Sequence, residues 1–270
     1  MRCIFCKNDS SKSRSVEHII PESLGNTTSI LPKGVVCDAC NNYFARKVEK
    51  PFLEAPALMS LRFHQAIPNK RSLIPPISGM LSPGFPVTAY RYTKRPFVGM
   101  IDVPSDAVEH IFQNDGGRLI LPIGGQPPSD KIISRFLAKA AVETMAQRLL
   151  DTSGGIDYIV DRPELDPIRD HARRGNIPDW PHHSRRIYDM NETWIDEFGS
   201  EVQMVHESDI LQTAWGEYFF VLAIFGLELV INYGGSEIEG YRRWLLENNG
   251  DSPLHIGKNK VNSRLRRATS

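Results

Sequence analysis

The sequence predicts an α+β protein with a small zinc-binding segment at its N-terminus and a larger mixed α+β domain after it. All four cysteines stand in the first 40 residues, as two Cys-x-x-Cys pairs. Two short β-branched runs lie between or beside these pairs and a helical pattern follows them, while strand-like runs and a strongly amphipathic helix follow residue 86. The predicted units are residues 1–50, a proline-rich linker over 51–85, an α+β domain over 86–257 and a basic tail over 258–270.

The composition is that of a globular protein and excludes several classes. The 270 residues carry 32 Lys+Arg against 32 Asp+Glu and are 41% hydrophobic, which excludes wholesale disorder. Because the net charge is zero, any nucleic-acid binding must come from local patches. The longest apolar stretch, Phe219–Ile231, is too short to span a bilayer. The N-terminus lacks a signal-peptide pattern, so we expect a cytoplasmic protein with no membrane partner.

The cysteine pairs predict a structural zinc site. Cys3 and Cys6 form one pair, and Cys37 and Cys40 form the other. In a reducing compartment disulfides are not expected, and two such pairs supply the four thiolates of a tetrahedral zinc site. Four thiolates close the coordination shell, so this zinc would hold no water for chemistry. The alternatives are two unrelated redox pairs or free cysteines in the core.

The elements around the cysteines follow the order knuckle, strand, loop, strand, knuckle, helix. The run Val16–Ile20 is rich in β-branched residues and predicts a short strand. Leu31–Cys37 predicts a second extended piece that leads into the second cysteine pair. Asn41–Lys50 has helical spacing of its apolar residues, and we expect Pro51 to end this helix.

The first predicted strand carries two residue types that suit metal-assisted phosphodiester hydrolysis. Glu17 offers a carboxylate to a hard cation, and His18 offers an imidazole that can accept a proton from water. Adjacent residues of a strand point to opposite faces, so the two converge only if the backbone bends. Asn41, directly after the last cysteine, offers a neutral oxygen that suits Mg²⁺. Alternatively, Asn41 caps the following helix, and the Glu-His pair is structural.

Residues 3–50 resemble an HNH endonuclease domain of the ββα-metal fold, in the subgroup with a four-cysteine zinc site. The resemblance is carried by Cys3, Cys6, Glu17-His18-Ile19-Ile20-Pro21, Leu24-Gly25 and Cys37-Asp38-Ala39-Cys40-Asn41-Asn42. It implies that His18 is the general base and that Glu17 and Asn41 bind a catalytic Mg²⁺ or Mn²⁺. It also implies that the substrate is DNA.

Three positions depart from the family pattern. Glu17 stands where aspartate is commoner, and Asn41 stands where the family also uses histidine. The middle asparagine of the family is absent from the stretch Leu31–Gly34 that precedes the second cysteine pair. Asn26 is the nearest asparagine, but its position in the chain does not match the family register.

The remainder of the chain predicts packing more than chemistry. Six prolines over 51–85 disfavour helices there, apart from a turn around Ala57–His64. Ser129-Asp130 begins a helix whose apolar stripe is typical of core packing. The charged residues of that helix (Lys131, Arg135, Lys139 and Glu143) lie outside the stripe. Glu217–Leu222 and Leu227–Ile231 predict two central strands across a Phe225-Gly226 turn.

Candidate nucleic-acid-binding residues are scattered along the chain. They are Arg46 and Lys47 on the first helix, and Trp180, Arg185 and Arg186 in a loop predicted over 175–193. Aromatic and cationic side chains together bind bases and phosphates, although a Trp in a loop is more commonly anchored in the core. The basic tail could add sequence-independent attraction to phosphate or serve only solubility.

These observations favour a metal-dependent DNA endonuclease, which by resemblance belongs with defence or mobile-element effectors. The alternative is a zinc-dependent module that binds nucleic acid or a partner without cleavage. The C-terminal domain could contact DNA, form a homodimer or bind a regulatory partner, and the sequence leaves these three open.

Overall fold

The computed structural model describes residues 1–93, 98–175, 180–196 and 198–254, together with the backbone of Arg266–Arg267. It shows an α+β protein whose chain divides into two compact units. The first unit contains Met1–Pro21, Asn26–Glu49 and the chain from Ser129 onward, and the second contains Glu22–Gly25 and Lys50–Pro128. That residues 1–50 also form a separate domain stays a prediction. The basic tail from Lys258 lies outside the described residues, apart from the two-residue strand.

The N-terminal part of the first unit has the predicted order of elements. A tight turn joins the first cysteine pair, since the Lys7 amide donates to the Cys3 carbonyl at 2.9 Å. Strands β1 (Glu17–His18) and β2 (Ile30–Leu31) pair antiparallel. Helix α1 (Asp38–Phe44) continues as a π-helical segment, Ala45–Glu49.

Helix α1 begins earlier than the sequence suggested. We expected a start at Asn41, but the helix begins at Asp38 because Cys37 is its N-cap and its sulfur accepts from the Cys40 amide. Asn41 is therefore the fourth residue of the helix, and the alternative that it caps the helix is wrong.

The remainder of the first unit contains four helices and a large sheet. Its helices are α5 (Asp130–Arg148), α6 (Gly155–Asp161), α7 (Asp166–Arg174) and α8 (Glu239–Glu247), with a 3-10 turn at Pro163–Leu165. Its strands are β7 (His182–Arg186), β8 (Trp194–Ile195), β9 (Glu201–Val202), β10 (His206–Gln212), β11 (Tyr218–Ile224), β12 (Leu227–Asn232) and β13 (Arg266–Arg267). Four strands form an antiparallel sheet of order β10-β11-β12-β7, and β8 pairs with β9 and β13.

Strands β11 and β12 are the central strands of this sheet, as predicted. Nearly all their residues are buried because helices cover the sheet: Tyr241 and Leu245 of α8 pack on Phe219 and Val221, and α5 also contacts both strands. The turn between them requires Gly226, whose φ is 76°. A Cβ at this position would lie 2.2 Å from the Tyr188 carbonyl oxygen, so only glycine fits.

The second unit combines helices with a four-stranded antiparallel sheet. Its elements are α2 (Lys50–Leu53), α3 (Pro56–His64), β3 (Ile77–Leu81), β4 (Phe85–Arg91), β5 (Gly99–Asp102), α4 (Ser105–Gln113) and β6 (Leu119–Ile120). The sheet order is β5-β4-β3-β6. Its core consists of two small clusters, one around Phe63 and Ile77 and the other around Leu81 and Val87.

Two expectations about proline are wrong in this unit. Residues 51–85 contain a nine-residue helix and a strand, where a linker with at most one turn was expected. Pro51 does not end the helical path, since it lies in the first turn of α2. Pro56 likewise begins α3. Pro56 is tolerated because the amide hydrogen it lacks would have no partner in a first helical turn.

Within the part of the chain that the structure describes, no helix has the length and apolar character needed to cross a bilayer.

Candidate metal centre and active site

The four cysteines converge on one point, as predicted. Their sulfur atoms all lie within 4.8 Å of one another, and the Cys6 and Cys37 sulfurs are 3.6 Å apart. A tetrahedral zinc with Zn–S bonds of about 2.3 Å has sulfur-to-sulfur edges of about 3.8 Å. The Cys37 amide also donates to the Cys3 sulfur at 3.3 Å, as befits a thiolate ligand. The donor set therefore fits a structural zinc ion.

The close approach of the four sulfurs and their burial shift the pKa values of the cysteines. A hydrogen bond from Cys40 lowers the pKa of Cys3 to about 4, and the same bond raises the pKa of Cys40. Burial raises the pKa of Cys6 to about 11. Four thiolates this close would repel one another, and a bound divalent cation would stabilise all four.

Strand β1 places Glu17 and His18 on opposite sides. The Glu17 side chain is buried, with 5% of the residue exposed, while His18 is half-buried. This is the alternation expected of a strand. The strand has only two residues and pairs with only two residues of β2, so its position depends on contacts outside the hairpin.

Helix α1 fixes the chain that enters β1. The Asp38 carboxylate accepts hydrogen bonds from the amides of Arg14 and Ser15, at 3.1 and 3.0 Å. The Asn41 amide nitrogen donates to the Val16 carbonyl at 2.9 Å. Since Val16 immediately precedes Glu17, Asn41 lies beside the strand that carries the predicted metal ligand. Its side-chain nitrogen is used in this bond, and its Oδ1 is the atom that could bind a cation.

Asn26 fixes the chain that leaves β1. Its side chain is fully buried, and its amide nitrogen donates to the carbonyls of Ile20 and Ser29 at 2.6 and 3.0 Å. Its Oδ1 accepts from the amides of Thr28 and Ser29. Asn26 therefore braces the loop between β1 and β2, the role for which the sequence showed no asparagine near residue 33. Its position differs from the expected one because this asparagine precedes β2 in the chain.

Helix α5 holds β1 from a third side through Lys139, a residue the sequence analysis assigned no chemistry. The Lys139 ammonium is fully buried and lies 2.8 Å from carboxylate oxygens of Glu17, Glu49 and Glu143. It also donates to the His18 carbonyl oxygen at 3.1 Å. One cation thus contacts both residues of the Glu-His pair.

The electrostatics of this cluster follow from burial. Burial opposes the charged form of Lys139, but the three carboxylates hold its pKa well above the ordinary value. Burial raises the pKa of Glu17, and it raises the pKa of the fully buried Glu143 further above the ordinary range.

The Glu17 carboxylate suits a cation ligand on one of its two oxygens. Oε1 contacts Lys139, while Oε2 is buried and has no hydrogen-bond partner among the described residues. A buried carboxylate oxygen without a partner is costly, and a divalent cation would satisfy it. Glu17 and Asn41 are therefore compatible with a Mg²⁺ or Mn²⁺ ion, and the assignment of both as ligands stays a prediction.

A signal for Lys139 was present in the sequence. Arg135, Lys139 and Glu143 are spaced by four residues, which places them on one face of α5. All three are buried. Arg135 donates to the Tyr43 hydroxyl and to the Ala172 and Arg173 carbonyls. A regular charged stripe on a helix with apolar residues on most other positions indicates a second packed face.

The predicted nucleic-acid-binding residues stand on separate elements. Arg46 and Lys47 are exposed on the π-helical segment. Trp180 is buried, and its indole nitrogen donates to the Asn232 carbonyl at 2.7 Å. This agrees with the alternative that the tryptophan is anchored in the core.

Arg185 and Arg186 belong to an ordered strand. The expectation of a loop over 175–193 is wrong, since His182–Arg186 form strand β7 by pairing with β12. Arg185 contacts the buried Glu228 at 2.5 Å, and Arg186 donates to the Phe225 carbonyl. Contact of these side chains with nucleic acid stays a prediction.

Two arginine side chains lie beside the cysteines. Arg173 and Arg174, at the end of α7, line a cavity of about 320 Å³ together with Cys6, Cys37 and Tyr43. Their proximity to the cysteines is not visible in the sequence, because it arises from the packing of α7.

The N-terminal segment matches one known family. Residues 3–56 match the family model described as HNH endonuclease. The match covers about a fifth of the chain and includes the four cysteines, Glu17, His18 and Asn41. No curated protein and no solved structure matches the chain.

Proposed function

We propose that this protein is a metal-dependent DNA endonuclease that hydrolyses phosphodiester bonds, because residues 3–56 match the family model described as HNH endonuclease. In this proposal His18 is the general base, and Glu17 and Asn41 hold a single Mg²⁺ or Mn²⁺. The four cysteines bind a structural zinc that fixes the start of α1 and so the position of Asn41.

One observation carries the proposal beyond the family match. The two-residue strand with Glu17 and His18 is held on three sides, by α1, by Asn26 and by Lys139. These contacts fix the backbone on both sides of Glu17 and His18, and a preorganised active site requires such rigidity.

The chemistry follows from the groups present. The half-buried His18 accepts the proton of an attacking water and orients that water toward phosphorus. A divalent cation at Glu17 and Asn41 would supply Lewis-acid stabilisation of the charge that develops on the phosphate and on the leaving 3′ oxygen. The rigid strand keeps the imidazole in place during the transfer.

A second candidate function is binding without cleavage, and one contact favours it. Glu17 is buried and one of its oxygens already contacts Lys139, so the carboxylate is less available than that of an exposed ligand. In this alternative the cluster around Lys139 is purely structural, and the zinc-bound segment grips nucleic acid or a partner.

A nicking assay separates the two functions. The full chain, loaded with zinc, is incubated with supercoiled plasmid and Mg²⁺ or Mn²⁺, and relaxed and linear products are followed on a gel. We expect wild type to nick and His18→Ala to lose at least a hundredfold in rate, because a positioned general base contributes about 10²–10⁴-fold. The control is equal zinc content and an equal melting temperature for both proteins.

The outcomes are distinct. Equal nicking by wild type and His18→Ala would exclude His18 as the base. A wild type that binds plasmid but leaves it supercoiled with either metal would favour the binding function. Cytoplasmic location, a homodimer and a regulatory partner for the C-terminal part stay predictions.

A further inference from the structure

The Lys139 ammonium contacts both members of the Glu-His pair. It lies 2.8 Å from a Glu17 carboxylate oxygen and 3.1 Å from the His18 main-chain carbonyl. Lys139 belongs to α5, which is separated from β1 by more than 100 residues and lies outside the segment that matches the HNH family.

These two contacts fix the orientation of two groups in the site, one in the main chain and one in a side chain. The bond to the His18 carbonyl fixes the peptide plane of β1, and the bond to Glu17 fixes the rotation of its carboxylate. With Oε1 on Lys139, the unpartnered Oε2 points in one defined direction. The hairpin alone supplies little rigidity, because each of its strands has two residues.

The other two carboxylates keep the ammonium in place. Glu143 lies one turn further along α5 and contacts Lys139 at 2.8 Å, and Glu49 contacts it at the same distance from the π-helical segment. A buried lysine without such partners would lose its charge or leave the interior. Glu49 and Glu143 therefore maintain a charged Lys139 at a fully buried position.

We propose that Lys139 is a positioning residue for catalysis, which orients the Glu17 carboxylate and the His18 backbone from outside the nuclease segment. This inference rests on the proposed endonuclease function. It implies that the nuclease segment is not autonomous, because part of its active-site support comes from α5.

The experiment compares Lys139→Met with Arg135→Met. Both variants remove a buried cation from the same face of α5, and the two positions are one turn apart. Arg135 binds Tyr43 and two carbonyls near the end of α7 but does not contact Glu17 or His18 in any described hydrogen bond. The comparison thus separates general destabilisation from loss of positioning.

Two measurements are made on full-length, zinc-loaded proteins at a temperature where melting curves show both variants folded. The first is plasmid nicking at saturating Mn²⁺ as a function of plasmid concentration. We expect Lys139→Met to lower kcat at least tenfold with KM within twofold of wild type, and Arg135→Met to keep kcat within threefold. The second is hydrogen exchange of peptides that cover residues 14–21. We expect at least tenfold faster exchange in Lys139→Met only.

Each outcome supports or overturns the positioning role of Lys139. Wild-type kcat or wild-type exchange over residues 14–21 in Lys139→Met would overturn it, while His18→Ala in the same assay shows whether the nuclease function stands. Equal loss of kcat in both variants would also overturn it, since Lys139 would then be a general packing residue. If wild type does not nick, the proposed function fails and the catalytic role of Lys139 fails with it.

Discussion

Removal of the Asn26 side chain should destabilise the protein and weaken catalysis together. Asn26 is fully buried and makes four hydrogen bonds to the backbone of the β1–β2 loop. Asn26→Ala leaves four backbone groups without these partners: the Ile20 carbonyl, the Thr28 amide, and the Ser29 amide and carbonyl. A buried hydrogen bond contributes about 1 kcal/mol net, and water can enter part of the space. We therefore expect the free energy of unfolding to fall by about 2–4 kcal/mol.

The assay is urea unfolding of the zinc-loaded protein, with the nicking rate measured below the transition. The control is Asn42→Ala, the same substitution at an exposed position of α1, which should change the free energy of unfolding by less than about 0.5 kcal/mol. We also expect the nicking rate of Asn26→Ala to fall, because the residues after His18 lose their brace. A stability loss for Asn26→Ala no larger than that of Asn42→Ala would refute this account of the loop.

Two further variants test the zinc site and Trp180. Cys40→Ser should abolish stoichiometric zinc binding and lower the free energy of unfolding, because one of the four converging sulfurs is lost. Zinc content is measured by plasma mass spectrometry. One tightly bound zinc per chain in this variant would contradict the site. Trp180→Phe should lower the free energy of unfolding by about 1–3 kcal/mol, since the Asn232 carbonyl loses its buried donor. The affinity for duplex DNA, measured by fluorescence anisotropy, should stay within twofold of wild type. Unchanged stability with a tenfold loss of affinity would place Trp180 on a DNA-binding surface.

Local patterns in the sequence were sufficient for the metal centre and the main elements. Two Cys-x-x-Cys pairs predicted the sulfur cluster because each knuckle is a short-range structure. The helix that begins at Ser129-Asp130 and the central strands β11 and β12 followed from hydrophobic periodicity. The helix start at Asp38 was missed because a cysteine, not an asparagine, is the N-cap.

Positions that depend on contacts between distant segments were not predictable. Strand β7 forms because β12 is available to pair with it, although His182–Arg186 by itself has little strand character. The contact of Arg185 with the buried Glu228 follows from the same pairing. The sequence shows a cationic run there, but only the sheet decides which of its charges face a partner.

By itself, the sequence determined that four cysteines can share one metal ion and that a Glu-His pair lies on a short strand between them. Both depend on residue type and on spacing within about 40 residues of chain. Only the tertiary structure decided what supports that pair: Asn26 in the loop and, above all, Lys139 of α5. The physical reason is that an ammonium remains charged in the interior only where several carboxylates surround it. Here Glu143 comes from the same helix as Lys139, whereas Glu17 and Glu49 come from segments about 90 or more residues away that only the tertiary fold brings to it.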